Sequence, residues 1–223
     1  AQYALDHATA GTTIFLMGGT YHENLDVPVS GNAGSPIIIS GYASESAVID
    51  GSGTTGNFLL KITSKSNIIV QHLVFRGLSS NNSSAVFIEG TSSAVEIKDN
   101  RFSGINFSSD PNDPVITGKS AHAIFVAGNN PAGPVSGIKI SDNEITDCRT
   151  GKSPAVEISG NVIDFEIIQN KIHHLSNSGI GITGFKNICP DILLDQPKTG
   201  TISKNSVYNC CSAPENAAGL PPA

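Results

Sequence analysis

Apolar residues in this chain alternate with polar ones in short bursts, and the bursts recur in one frame. Residues 68–77, 95–104, 138–147, 165–174 and 200–209 align without gaps on an asparagine column, Asn100, Asn143, Asn170 and Asn205, with Leu73 in that place in the first segment. Three positions earlier stand Val70, Ile97, Ile140, Ile167 and Ile202; two positions later stand Phe75, Phe102, Ile145, Ile172 and Val207. Period-two alternation on both sides of the column predicts a strand, a sharp corner and a second strand, with both apolar columns pointing inward. Asparagine suits the corner itself. It tolerates the left-handed backbone region, and its amide can bond the same group in the next coil, a ladder that satisfies buried polar atoms.

A shorter strand precedes each segment, marked by the inward pairs Leu60/Ile62, Val86/Ile88, Ile124/Val126, Val156/Ile158 and Ile180/Ile182. Three strands per coil result. The corners are 27, 43, 27 and 35 residues apart, so like columns repeat while the loops between them vary, the signature of stacked coils. The predicted fold is all-β, a parallel β-helix forming one domain over 1–223. A sandwich would need hairpins joining neighbouring strands, and none is visible. Residues 1–10 fit a short capping helix over the first coil. Beyond Asn205 no further coil pattern follows, so an incomplete stack is expected at that end, continued by more chain or by self-association with another subunit.

Composition agrees. The 223 residues include 26 Ile, no Trp and one Met, and only 14% are charged, so uncharged polar residues, 27 Ser and 19 Asn among them, must build the surface. A net charge of -6 argues against nucleic acid or an anionic membrane as partner, and no apolar run is long enough for a membrane span. Cys148, Cys189, Cys210 and Cys211 lack metal-site spacing and read as disulfides or buried thiols; Cys148 and Cys210 share a column but sit two coils apart, too far for a direct bridge.

The opening 10–23, with 35–41 and 48–51, resembles the first coils of the right-handed parallel β-helix, or pectate-lyase-like, superfamily. The nearest kinds are alginate lyase/chondroitinase B-type and family-nine polysaccharide lyases, although Thr12 stands where they usually carry Asp. The resemblance implies a right-handed coil, a secreted protein and a polysaccharide bound on the outer face of the short-strand sheet. On that face the outward positions are Lys61, Phe87, Phe125, Glu157 and Gly181, then Thr63, Glu89, Ala127, Ser159 and Thr183. Phe87 and Phe125 lie on adjacent coils, about 4.8 Å apart, where they can stack on sugar rings or be covered by the preceding loop.

The two longest insertions, 105–121 and 185–198, border this sheet, and long loops carry function more often than scaffold. Lys119, His122, Arg149 and Lys152 precede short strands on consecutive coils and would form one positive patch, read either as solvated loop residues or as catalytic ones. On a uronate polymer an arginine can neutralise the carboxylate, and a lysine can remove the adjacent proton if a neighbouring cation lowers its pKa. Glu89 and Glu157, two coils apart, keep a glycoside hydrolase in view. Asp110, Asp113 and Asp147 are hard donors of the kind calcium takes, without EF-hand spacing, so neither a cofactor nor a metal ligand is assigned. His173 is read as a structural histidine. The expected function is a secreted polysaccharide lyase acting on an acidic glycan; a non-catalytic surface, fibre or glycan-binding module is the alternative, and a hydrolase the third reading.

Overall fold

The computed structural model describes residues 1–211 and is a parallel β-helix. Its strands form three parallel sheets of seven, seven and six strands, each of the first six coils contributing one strand to each sheet and the last described coil one to each of the two larger sheets. The sheet before the corner runs from Thr13–Leu16 to Lys198–Ser203, and the sheet after it from Gly19–Tyr21 to Ser206–Tyr208. The short-strand sheet comprises Leu25–Asp26, Phe58–Thr63, Ser83–Glu89, Ala121–Gly128, Val156–Gly160 and Ile180–Thr183. A five-residue helix, Gln2–Asp6, lies over the first coil and buries Leu5. No helix among the described residues is long and apolar enough to cross a membrane.

The predicted columns are in register. Val70, Ile97, Ile140 and Ile167 pair across successive strands and are fully buried. Phe75 stacks on Phe102 with 5.1 Å between ring centres, and Ile145 and Ile172 continue that column. On the last described coil Ile202 and Val207 remain 49% and 45% exposed. The expectation of an uncapped end concerns residues 212–223, which lie outside the described residues.

The corner differs from expectation in one respect. The left-handed residue is the one before the column, His72, Asp99, Asp142, Gln169 and Lys204, with φ between 53° and 58°. That leaves each asparagine side chain turned into the stack. Asn100, Asn143 and Asn170 each donate from the main-chain N–H and the side-chain amide to Oδ1 of the next asparagine, at 2.9–3.2 Å. The row ends at Leu73, whose N–H donates to Asn100 Oδ1. Because the turn itself is made by a neighbour whose identity varies, the asparagine serves the interior and not the bend.

Candidate functional site

The outer face of the short-strand sheet carries one continuous column, Asp26, Lys61, Phe87, Phe125, Glu157 and Gly181, paired coil to coil. The half-buried rings of Phe87 and Phe125 lie 5.5 Å apart. Together with Asn57, Phe58, Lys61, Asn82, Ser84, Ser120 and His122 they line a pocket of about 220 Å³. The surrounding loops leave the pocket between the rings. Lys61 Nζ stands 5.7 Å from the Phe58 ring centre and 6.0 Å from that of Phe87, and is paired with Glu89 at 2.8 Å.

Phe58 and His122 reach this face through a break in alternation. Two consecutive apolar residues are buried within or at the start of each of four successive short strands, Leu59/Leu60, Ala85/Val86, Ala123/Ile124 and Ala155/Val156. The break shifts the residue just before each pair to the same side as the outward column, three positions later. His122 was expected in a loop; it lies within strand Ala121–Gly128, 5% exposed, its ring stacked on Phe125 at 4.6 Å. The repeated pair of small and apolar residues is the signal that strict period-two counting passes over.

Glu157, an outward position by the strand count, is 3% exposed. Its Oε2 meets His122 Nε2 at 3.0 Å, and its Oε1 accepts from Lys186 Nζ at 2.6 Å and Thr183 Oγ1 at 2.9 Å. Burial works against the charged form, but the hydrogen bonds from His122 and Lys186 prevail and hold the carboxyl at about 2. Lys186, which no sequence motif marked, is presented by the 185–198 loop. Asp195 organises that loop, accepting from the main-chain N–H groups of Asn187, Ile188 and Cys189. Burial likewise opposes ionisation of Glu89, and bonds from Lys61, Asn129 and Thr63 overcome it and lower its pKa. Neither carboxyl has the raised pKa that a glycosidase acid requires.

The other cations are engaged by the 105–121 loop and do not form a free positive patch. Arg149 Nη1 donates to the Asp110 carbonyl at 2.9 Å and Nη2 to the Asp113 carbonyl, while the guanidinium lies 4.4 Å from the Phe107 ring centre. Lys119 pairs with the Asp113 carboxylate at 3.1 Å over the same ring. Lys152 is exposed at the loop end, its N–H bonded to the Lys119 carbonyl. Lys119, Arg149 and Lys152 are thus brought together around one loop, whereas His122 is buried beside the pocket. Asp110 and Asp113 serve the same loop, and among the described residues no three His, Cys, Asp or Glu side chains converge to hold a metal ion.

The described cysteines are unpaired, with Cys148 buried and its thiol pushed up to about 12 by that burial. His173 is satisfied by Thr146, His174 and Glu144 and stacks on Tyr208.

No protein-family model matches the chain. The chain is 32% identical over 192 residues to an uncharacterised protein, YwoF, of Bacillus subtilis (strain 168), covering 82% of this chain and 39% of that protein. It is 46% identical over 57 residues to pectate lyase PEL9 of Emericella nidulans, covering 25% of this chain and 14% of that protein. The chain thus spans well under half the length of either relative. Among solved structures it is similar to an alginate lyase from Paenibacillus sp. str. FPU-7, with a TM-score of 0.60 and 18% identity over 96% of this chain and 74% of that one. The fold is therefore that of polysaccharide-lyase-like β-helices.

Proposed function

We propose that this β-helix is a secreted polysaccharide lyase that holds an acidic glycan along the outer face of the short-strand sheet and cleaves it by β-elimination. The observation that carries the reading is the pocket lined by Phe58, Phe87 and Phe125, with the Lys61 ammonium within 6.0 Å of the centres of two of these rings. Aromatic faces suit the apolar side of a sugar ring, and an ammonium suits its carboxylate. Pectate lyase and alginate lyase, as the similar proteins are named, fit a uronate polymer as substrate and an extracellular setting. In β-elimination a base removes the proton on the carbon beside the carboxylate. The electron pair forms a carbon–carbon double bond, and the glycosidic oxygen leaves and takes a proton.

The base comes from the set His122, Lys119, Arg149 and Lys152, and the cation is Lys61, with Glu89 and Glu157 holding Lys61 and Lys186 in place. A second reading, a glycan-binding module without catalysis, is favoured by the engagement of Arg149 and Lys119 within their own loop. Polygalacturonate, alginate and chondroitin sulfate, each with and without calcium, separate the readings. A rise in ultraviolet absorbance from the unsaturated uronate supports the lyase. New reducing ends without that absorbance mean hydrolysis, and retention of the glycan without either product means a binding module.

A further inference from the structure

One atom beside the pocket lacks a partner. His122 Nδ1 is buried and has no hydrogen-bond partner among the described residues, a condition that costs stability unless the atom is used. Its ring is otherwise fully determined. With Glu157 at about 2, the carboxylate is ionised at neutral pH and can only accept, so the His122 nitrogen facing it, Nε2, must be the N–H. Lys186 and Thr183 saturate the other carboxylate oxygen and keep it from turning away. In the neutral imidazole Nδ1 then carries the bare lone pair, on a ring stacked on Phe125 and lining the pocket that Lys61 also lines. A carboxylate bonded to the far nitrogen of an imidazole is the arrangement that orients a histidine for proton transfer.

We propose that His122 is the base of the elimination, taking with Nδ1 the proton beside the substrate carboxylate, and that Glu157 and Lys186 are its positioning residues. The assignment rests on the lyase reading given above. The proton passes from carbon to Nδ1, the freed electron pair becomes the carbon–carbon double bond, and the bond to the glycosidic oxygen breaks. That oxygen takes a proton from water, and the imidazolium returns its own to solvent. Lys61 faces the substrate carboxylate and stabilises the charge that builds on it as the proton leaves. Nδ1 is closed to bulk water, so the side chains around it must rotate when a sugar enters, a change common at binding surfaces.

The test measures steady-state elimination by H122N, E157Q and the unmodified protein on polygalacturonate, alginate and chondroitin sulfate. H122N is expected to lose about 100-fold or more in kcat, the usual contribution of a positioned base. Its KM stays within about threefold, because Phe87, Phe125 and Lys61, which would bind the sugar, are retained. H122A regains part of its rate with added imidazole, and E157Q loses about tenfold in kcat at unchanged KM. An active protein in which H122N keeps its kcat, or in which imidazole rescues nothing, overturns this assignment alone. Silence of the unmodified protein on all three glycans overturns the lyase reading and the assignment with it. A nitrogen-15 spectrum gives a readout that needs no variant: a neutral His122 protonated at Nδ1 also overturns it.

Discussion

Asn143→Ala is the most informative single change in the stack. Its Oδ1 accepts from the main-chain N–H and the side-chain amide of Asn100, at 3.1 and 3.2 Å. Its Nδ2 donates to the Ile97 carbonyl at 2.8 Å and to Asn170 Oδ1 at 3.0 Å. Truncation strips a partner from three buried groups: the Asn100 N–H, one amide hydrogen of Asn100 and the Ile97 carbonyl. Asn170 Oδ1 keeps the main-chain N–H of residue 143 and is spared. At about 1–2 kcal/mol for each stranded group, the loss is roughly 3–6 kcal/mol. That is a large share of the roughly 5–15 kcal/mol that holds a typical domain. Asn143→Asp should cost at least as much, since a carboxylate cannot donate to Ile97 and would carry a buried charge. Urea unfolding followed by circular dichroism measures both, with the exposed Asn112→Ala as control, expected within about 0.5 kcal/mol of the unmodified protein. If Asn143→Ala costs under about 1 kcal/mol with an unchanged denaturant slope, the row does not support the stack in the way its geometry indicates.

Four further outcomes follow from the site and its surroundings. Glu157 has a folded-state pKa of about 2 against an ordinary 4.5, so its contribution is full above about pH 4.5 and disappears as the pH falls towards 2. E157Q should flatten the acid limb of stability by roughly 3 kcal/mol over that window, and an unchanged difference between the two proteins at pH 7 and pH 2.5 would contradict the pairing. Phe87→Ala and Phe125→Ala should each weaken glycan binding about tenfold by affinity electrophoresis, near 1.4 kcal/mol, and equal mobility on glycan gels would remove the sugar groove. Arg149→Ala should expose the 105–121 loop to limited proteolysis while the melting temperature falls by only a few degrees, about 1 kcal/mol. Iodoacetamide at pH 8 should label the exposed Cys211 and leave the buried Cys148 untouched, read by mass spectrometry.

The coil was legible because its information is redundant: Val70, Ile97, Ile140 and Ile167 each repeat the same statement about which side faces inward, and no single residue has to be read correctly. The outward columns followed from the same counting, which is why Lys61, Phe87, Phe125 and Glu157 fell in line. What the counting missed were departures from it. The paired buried residues such as Ala123/Ile124 turn His122 onto the groove face, and a reader holding strict alternation assigns it to a loop. Burial of Glu157 was hidden for a different reason, since its cover, Lys186, arrives on a loop whose path depends on the Asp195 turn. The engagement of Arg149 was hidden because two of its partners in the 105–121 loop are main-chain carbonyls, which leave no trace in residue identity. The corner conformation was displaced by one residue because the hydrogen-bonding demand of the interior outranks the asparagine's own backbone preference.

The irregular spacing between corners has a further implication. Since every coil closes through the same three strands whatever length of chain lies outside them, the walls above the groove can be lengthened, shortened or exchanged while the floor stays put. Grafting a foreign segment in place of 108–114, which leaves the buried Ile105, Phe107, Val115 and Ala121 where they are, should therefore preserve folding provided residue 149 still finds two carbonyls to grip. The protein then becomes a ruler of fixed pitch, about 4.8 Å per step, on which side chains can be set out to match the repeat of a chosen polymer.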